Sequence, residues 1–69
     1  MTATYYDIYV LSSAGAIIKR FNAGTDAHAA SDAMRHIAAA CPVIYPLAEK
    51  LHLVGRCGGE VVHSRYWEV

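Results

Sequence analysis

The chain has 69 residues, with six Lys plus Arg set against six Asp plus Glu and a formal net charge of zero. That length holds one domain near the lower limit for folding without disulfides, metal or a partner, and the even balance of charge speaks against both a strongly basic nucleic-acid module and an acidic mimic of nucleic acid. A hydrophobic fraction of 55% with only 17% charged residues is rich for so small a surface, so some apolar area is expected to be covered by a second molecule, a further copy in a homodimer or a protein partner.

The opening stretch Met1-Thr2-Ala3-Thr4-Tyr5 lacks a basic region followed by an apolar one, and no apolar run approaches the ~20 residues needed to span a bilayer. A cytoplasmic protein with no membrane partner is the expectation. Residues 5–11 alternate, with Tyr6, Ile8 and Val10 on the expected core side and Tyr5, Asp7 and Tyr9 on the other. Ser12-Ser13-Ala14-Gly15 is a turn cluster, and residues 16–21 return as a second strand with Phe21 and either Ile17 or Ile18 facing inward.

Asn22-Ala23-Gly24 breaks that strand. Thr25 stands where an N-cap is wanted and Asp26 falls in the first turn, favoured by the helix dipole. Ala27, Ala30, Met34, Ile37 and Cys41 then recur at spacings of three and four, one buried helical stripe made mostly of small residues. Pro42 is expected to end the helix, because it lacks a backbone donor and disfavours the α conformation of the residue before it. Residues 43–48, interrupted by Pro46, read as an extended crossing segment or short edge piece.

The last two runs, 51–57 and 60–69, flank Gly58-Gly59, a strong hairpin signal because a two-residue turn of the favoured type needs positive φ at both central positions. Leu51, Leu53, Val62 and Tyr66 are assigned inward. An unbroken register puts His52, Val54, Arg56, Val61, His63, Arg65 and Trp67 on the opposite side. The order strand, strand, helix, strand, strand gives an α+β domain, ββαββ, with one antiparallel sheet and a single helix packed on one face. One helix cannot cover both faces. The uncovered face, with Tyr5, Tyr9, His52, Arg56, His63, Arg65 and Trp67, is the candidate partner-binding surface.

Chemistry finds less support. His28, Asp32 and His36 line one helix face, but the outer pair lie about 12 Å apart at 1.5 Å rise per residue, too far to share one ion, and pairing of Asp32 with Arg35 and the histidines explains them as a solvated face. His52 and His63 could meet across the hairpin, with Asp7 the sole acidic residue on that side. Ser12, Ser13, Ser31 and Ser64 have no glycine elbow, and Cys41 and Cys57, expected to be reduced, have no histidine partner motif. Gly55-Arg56-Cys57-Gly58-Gly59 precedes a strand rather than a helix, so it lacks the helix N-terminus of a phosphate loop. Neither an enzyme, a metal site nor a cofactor is expected. Tyr, Trp and Arg are the residues enriched at protein hot spots, and zero net charge sets a protein partner above nucleic acid. The alternative is a small nucleic-acid-binding regulator using the basic and aromatic sheet face, although the glycine-aromatic ribonucleoprotein consensus is missing.

The run Tyr6-Asp7-Ile8-Tyr9-Val10-Leu11, the Gly15 turn, Ile17-Ile18-Lys19-Arg20-Phe21, and Thr25-Asp26 opening an alanine-rich helix resemble the layout of small bacterial and phage proteins. In size and element order the chain is similar to some phage-encoded anti-CRISPR proteins, from whose acidic nucleic-acid mimics it departs by having no negative surplus. The resemblance is one of layout over most of the chain and carries no diagnostic residues. It implies a stoichiometric inhibitor, encoded by a phage or mobile element and acting in the host bacterial cytoplasm, that occupies a surface of a host CRISPR effector complex.

Overall fold

The computed structural model describes residues 2–69; Met1, which opens the N-terminal stretch, lies outside the described residues. Strands β1 (Thr4–Ser12) and β2 (Ile17–Asn22) precede helix α1 (Ala27–Ile44), and strands β3 (Ala48–Cys57) and β4 (Glu60–Glu68) follow it. The strands form one antiparallel sheet in the order β2-β1-β3-β4, and the helix lies over the two central strands. β2 and β3 therefore run parallel with β1 between them, a separation that the long helical crossover can span.

Alternation in β1 and β3 sends Tyr6, Ile8, Val10, Leu51 and Leu53 into a core closed by Ala30, Met34 and Cys41 of the helix. Small residues at 30, 33 and 38 let the helix sit close to the sheet, and Met34 is the one large helical side chain that is fully buried. The Gly58-Gly59 turn has φ of 60° and 85°, the left-handed values that a tight hairpin turn demands and that only glycine adopts freely.

Four local expectations are corrected. Asp26 rather than Thr25 is the N-cap, its carboxylate accepting from the His28 N–H at 3.0 Å. Pro42 does not end the helix, which runs on to Ile44 and closes when the Tyr45 N–H donates to the Cys41 carbonyl at 2.7 Å. Proline costs one bond there, because without an N–H it leaves the Ala38 carbonyl with no i+4 donor, and the Tyr45 to Cys41 bond beyond it still closes the last turn. Val43 and Ile44 are thus helical, and β3 begins three residues earlier than expected, at Ala48. In β2 an irregularity opposite Val10 and Leu11 takes both isoleucines out of the core: Ile17 pairs with Leu11 on the uncovered side, Ile18 is exposed, and Phe21 alone packs inward.

The largest correction concerns β4. Arg56 pairs with Val61, yet Gly55 pairs with His63, so Val62 is an extra residue in a β-bulge. Because side chains alternate, one added residue flips every position beyond it. His63, Arg65 and Trp67 consequently stand on the helix side, opposite Gly55, Leu53 and Leu51, while Ser64 and Tyr66 join the uncovered face. Val62 and Tyr66, assigned to the core from sequence, are exposed.

Candidate functional site

The uncovered face is organised about Asp7. Its carboxylate is only 12% exposed and lies between two arginines, with Arg20 Nη2 at 3.5 Å from Oδ1 and Arg56 Nη1 at 3.3 Å from Oδ2. Arg56 also donates to Tyr9 Oη at 3.2 Å and holds its guanidinium 5.9 Å from the centre of the Tyr9 ring. Strand pairing explains the grouping: Tyr5 is opposite Arg56, Asp7 opposite Val54, Tyr9 opposite His52 and also Arg20. Val54 is almost fully buried although it points away from the helix, so this side of the sheet has a small packed layer of its own.

A second group continues the surface towards β4. His52 lies against Tyr66 with ring centroids 4.1 Å apart and planes 10° from parallel, and its Nε2 is 2.8 Å from Ser64 Oγ. The Lys50 ammonium is 5.4 Å from the centre of the Tyr66 ring. Burial pushes the His52 pKa below the usual histidine value, with the Arg56 charge adding to the effect, so the ring is neutral at pH 7. A shallow depression of about 360 Å³ runs from Arg56, Val54 and His52 past Tyr9 to Leu11 and Ile17.

Of the residues expected on this face, Tyr5, Tyr9, His52 and Arg56 are there together. His63, Arg65 and Trp67 are not: His63 meets the Tyr6 ring edge-on at 6.1 Å, and Trp67 packs against the core margin beneath the Arg65 guanidinium at 5.4 Å. His52 and His63 lie on opposite faces of the sheet and form no pair. Arg20, Ser64 and Tyr66 are the members that sequence reasoning missed. The bulge hid the last two; Arg20 pairs with Tyr9 in the regular part of β2, and alternation from the inward Phe21 is the signal that could have found it.

Ser64 and His52 have the separation of a nucleophile and its base. Among the described residues, however, no hydrogen bond joins the other ring nitrogen to a carboxylate, which is the contact that orients such a base. On the helix, Arg35 donates to Asp32 at 2.7 Å and His28 stands 3.6 Å from the same carboxylate, a solvated ion-pair face. Among the described residues no group of three or more His, Cys, Asp or Glu is placed to hold a metal ion, and no helix is long and apolar enough to cross a membrane. Cys41 and Cys57 are free; burial raises the Cys41 thiol pKa, while half-buried Cys57 donates to the Thr2 carbonyl at 3.5 Å. No protein-family model, curated protein or solved structure matches the chain.

Proposed function

We propose that this protein is a non-enzymatic binding module whose uncovered sheet face, centred on Tyr9, His52 and Arg56, docks a protein partner. The observation that carries the reading is the ordered, cross-linked set of arginine, tyrosine and histidine side chains on the one sheet face that the helix leaves open. Such side chains anchor protein interfaces by combining apolar area with directed hydrogen bonds. Nucleic acid is the weaker fit. Its bases need free ring faces on which to stack, whereas Tyr66 and Tyr9 already have His52, Lys50 and Arg56 against or near their rings.

The finer reading, an inhibitor from a phage or mobile element that blocks a host CRISPR effector complex, rests on the layout resemblance. It is tested by expressing the chain in a bacterium with active CRISPR interference and scoring the survival of a targeted plasmid. Wild type should raise survival and Tyr9→Ala combined with Arg56→Gln should not. No rise with any CRISPR type refutes the inhibitor while leaving the binding face to be tested separately.

A further inference from the structure

The depression on the uncovered face has two chemically different ends. At one, Arg56 lines the depression and shares the Asp7 carboxylate with Arg20, which lies outside the lining and pairs with the lining Tyr9, and the two guanidinium groups leave one positive charge over. Both contacts, at 3.5 and 3.3 Å, are longer than the roughly 2.7–2.9 Å of a tight charge-assisted bond, and the arginine side chains remain 62% and 41% exposed. These charges are held in place yet still reachable. Beside Arg56 the Tyr9 hydroxyl offers a further donor. At the other end Leu11 and Ile17 pair across β1 and β2, with Ile17 mostly exposed, and form an apolar floor.

We infer that this face recognises an acidic side chain of a protein partner, its carboxylate placed at Arg56 and Arg20 and an adjacent apolar side chain laid on Leu11 and Ile17. The inference rests on the binding role proposed above and gives the partner its chemistry. Charge complementarity selects an acidic group, because a cationic one would face the surplus positive charge. The shape selects a protein. Small-molecule sites enclose most of their ligand, whereas this depression is shallow and runs on into the Tyr66 and Ser64 surface. Asp7 then has a second role, as the internal carboxylate that the partner's acid must rival for the same two arginines.

The test is selection of a random displayed-peptide library on the intact protein, followed by affinity measurement of the best peptide by fluorescence polarisation, with each variant's fold checked by thermal melting. Selected peptides should carry Asp or Glu within one or two positions of a large apolar residue. Arg56→Gln should weaken the best peptide by about tenfold or more, and Ile17→Asp likewise. Asp7→Asn, which frees both guanidinium groups, should tighten binding by a few fold, an effect that damage to the fold would not produce. If Arg56→Gln does not fold, Arg20→Gln reads the same charge at a more exposed side chain. Basic or neutral peptides, or weaker binding by Asp7→Asn, overturn the acidic partner while leaving the face intact. A selection with no peptide sensitive to any of these changes contradicts the binding face and this inference together. Tight capture of mixed-sequence single-stranded RNA at physiological salt, lost in Arg56→Gln, overturns it in favour of phosphate recognition.

Discussion

His52 lies flat against Tyr66, ring centroids 4.1 Å apart, while its Nε2 meets Ser64 Oγ at 2.8 Å. Desolvation of the ring, and secondly the positive charge of Arg56, depress its pKa from the ordinary 6.5. The unfolded chain therefore binds a proton here at a higher pH than the folded one, and stability rises with pH across that window. The contribution of His52 is fully present above about pH 6.5, is lost as the pH falls towards the depressed value, and is constant below it. Titration of the His52 ring by NMR should give a midpoint below 6.5, and His52→Gln should flatten the decline of stability between neutral and mildly acidic pH. A midpoint at or above the ordinary value contradicts the packing described.

Gly55 is required by the Tyr6 ring. A Cβ at this position would stand 2.8 Å from Tyr6 Cε1 and 3.1 Å from both His63 Cβ and Thr4 Cγ2. The Tyr6 ring is itself buried, so it cannot swing aside as the free end of a lysine could. Gly55→Ala is expected to cost about 1–3 kcal/mol in urea unfolding, the usual penalty for overpacking. Tyr6→Leu in the same chain should recover part of that loss. Unchanged stability of the single variant would show that the ring does not lie over Gly55.

Core and rim differ sharply in what they contribute. Met34 and Leu53 are about 1% exposed, and truncation of either to alanine should cost roughly 2–5 kcal/mol, enough to unfold most molecules of so small a domain. Val43 is 85% exposed, and Val43→Ala should shift stability by no more than ~0.5 kcal/mol. Equal effects at the two kinds of site would be incompatible with a helix that buries its 30, 34, 41 stripe.

The Ser64 and His52 pair invites a chemical check. Among the described residues no carboxylate meets the second ring nitrogen, so Ser64 is expected to stay unlabelled by a fluorophosphonate probe at neutral pH. Stoichiometric labelling at Ser64 would establish an activated nucleophile and change the functional class.

The sequence made the layout legible because its signals were local and redundant. Alternation in residues 5–11 and 51–57, the three-four stripe through Met34 and Cys41, and two glycines with positive φ each act within a few residues. The outer half of β4 was not legible. Val61 and Val62 are the same residue type, nothing in them says which is the extra one, and the bulge they hold turns Tyr66 outward and Trp67 inward. The helix end was obscured differently: Pro42 carries a strong stop signal, but the Tyr45 to Cys41 hydrogen bond lets one more turn form beyond it. Thr25 and Asp26 are both good caps, and geometry chose the second. For the face, Tyr9, His52 and Arg56 were readable from the central strands, and Arg20 follows by alternation from the inward Phe21, since it pairs with Tyr9 in the regular part of β2.

The central claim, that the uncovered sheet face is the working surface, is tested most directly by site-specific photocrosslinking in the cell. A benzophenone amino acid replaces Tyr66 on that face in one variant and His28 on the solvent side of the helix in another, both positions being exposed. The account predicts a discrete protein adduct from position 66, abolished when Arg56→Gln is added, and none from position 28. An adduct from position 28 alone, or nucleic acid as the crosslinked species at position 66, would contradict it.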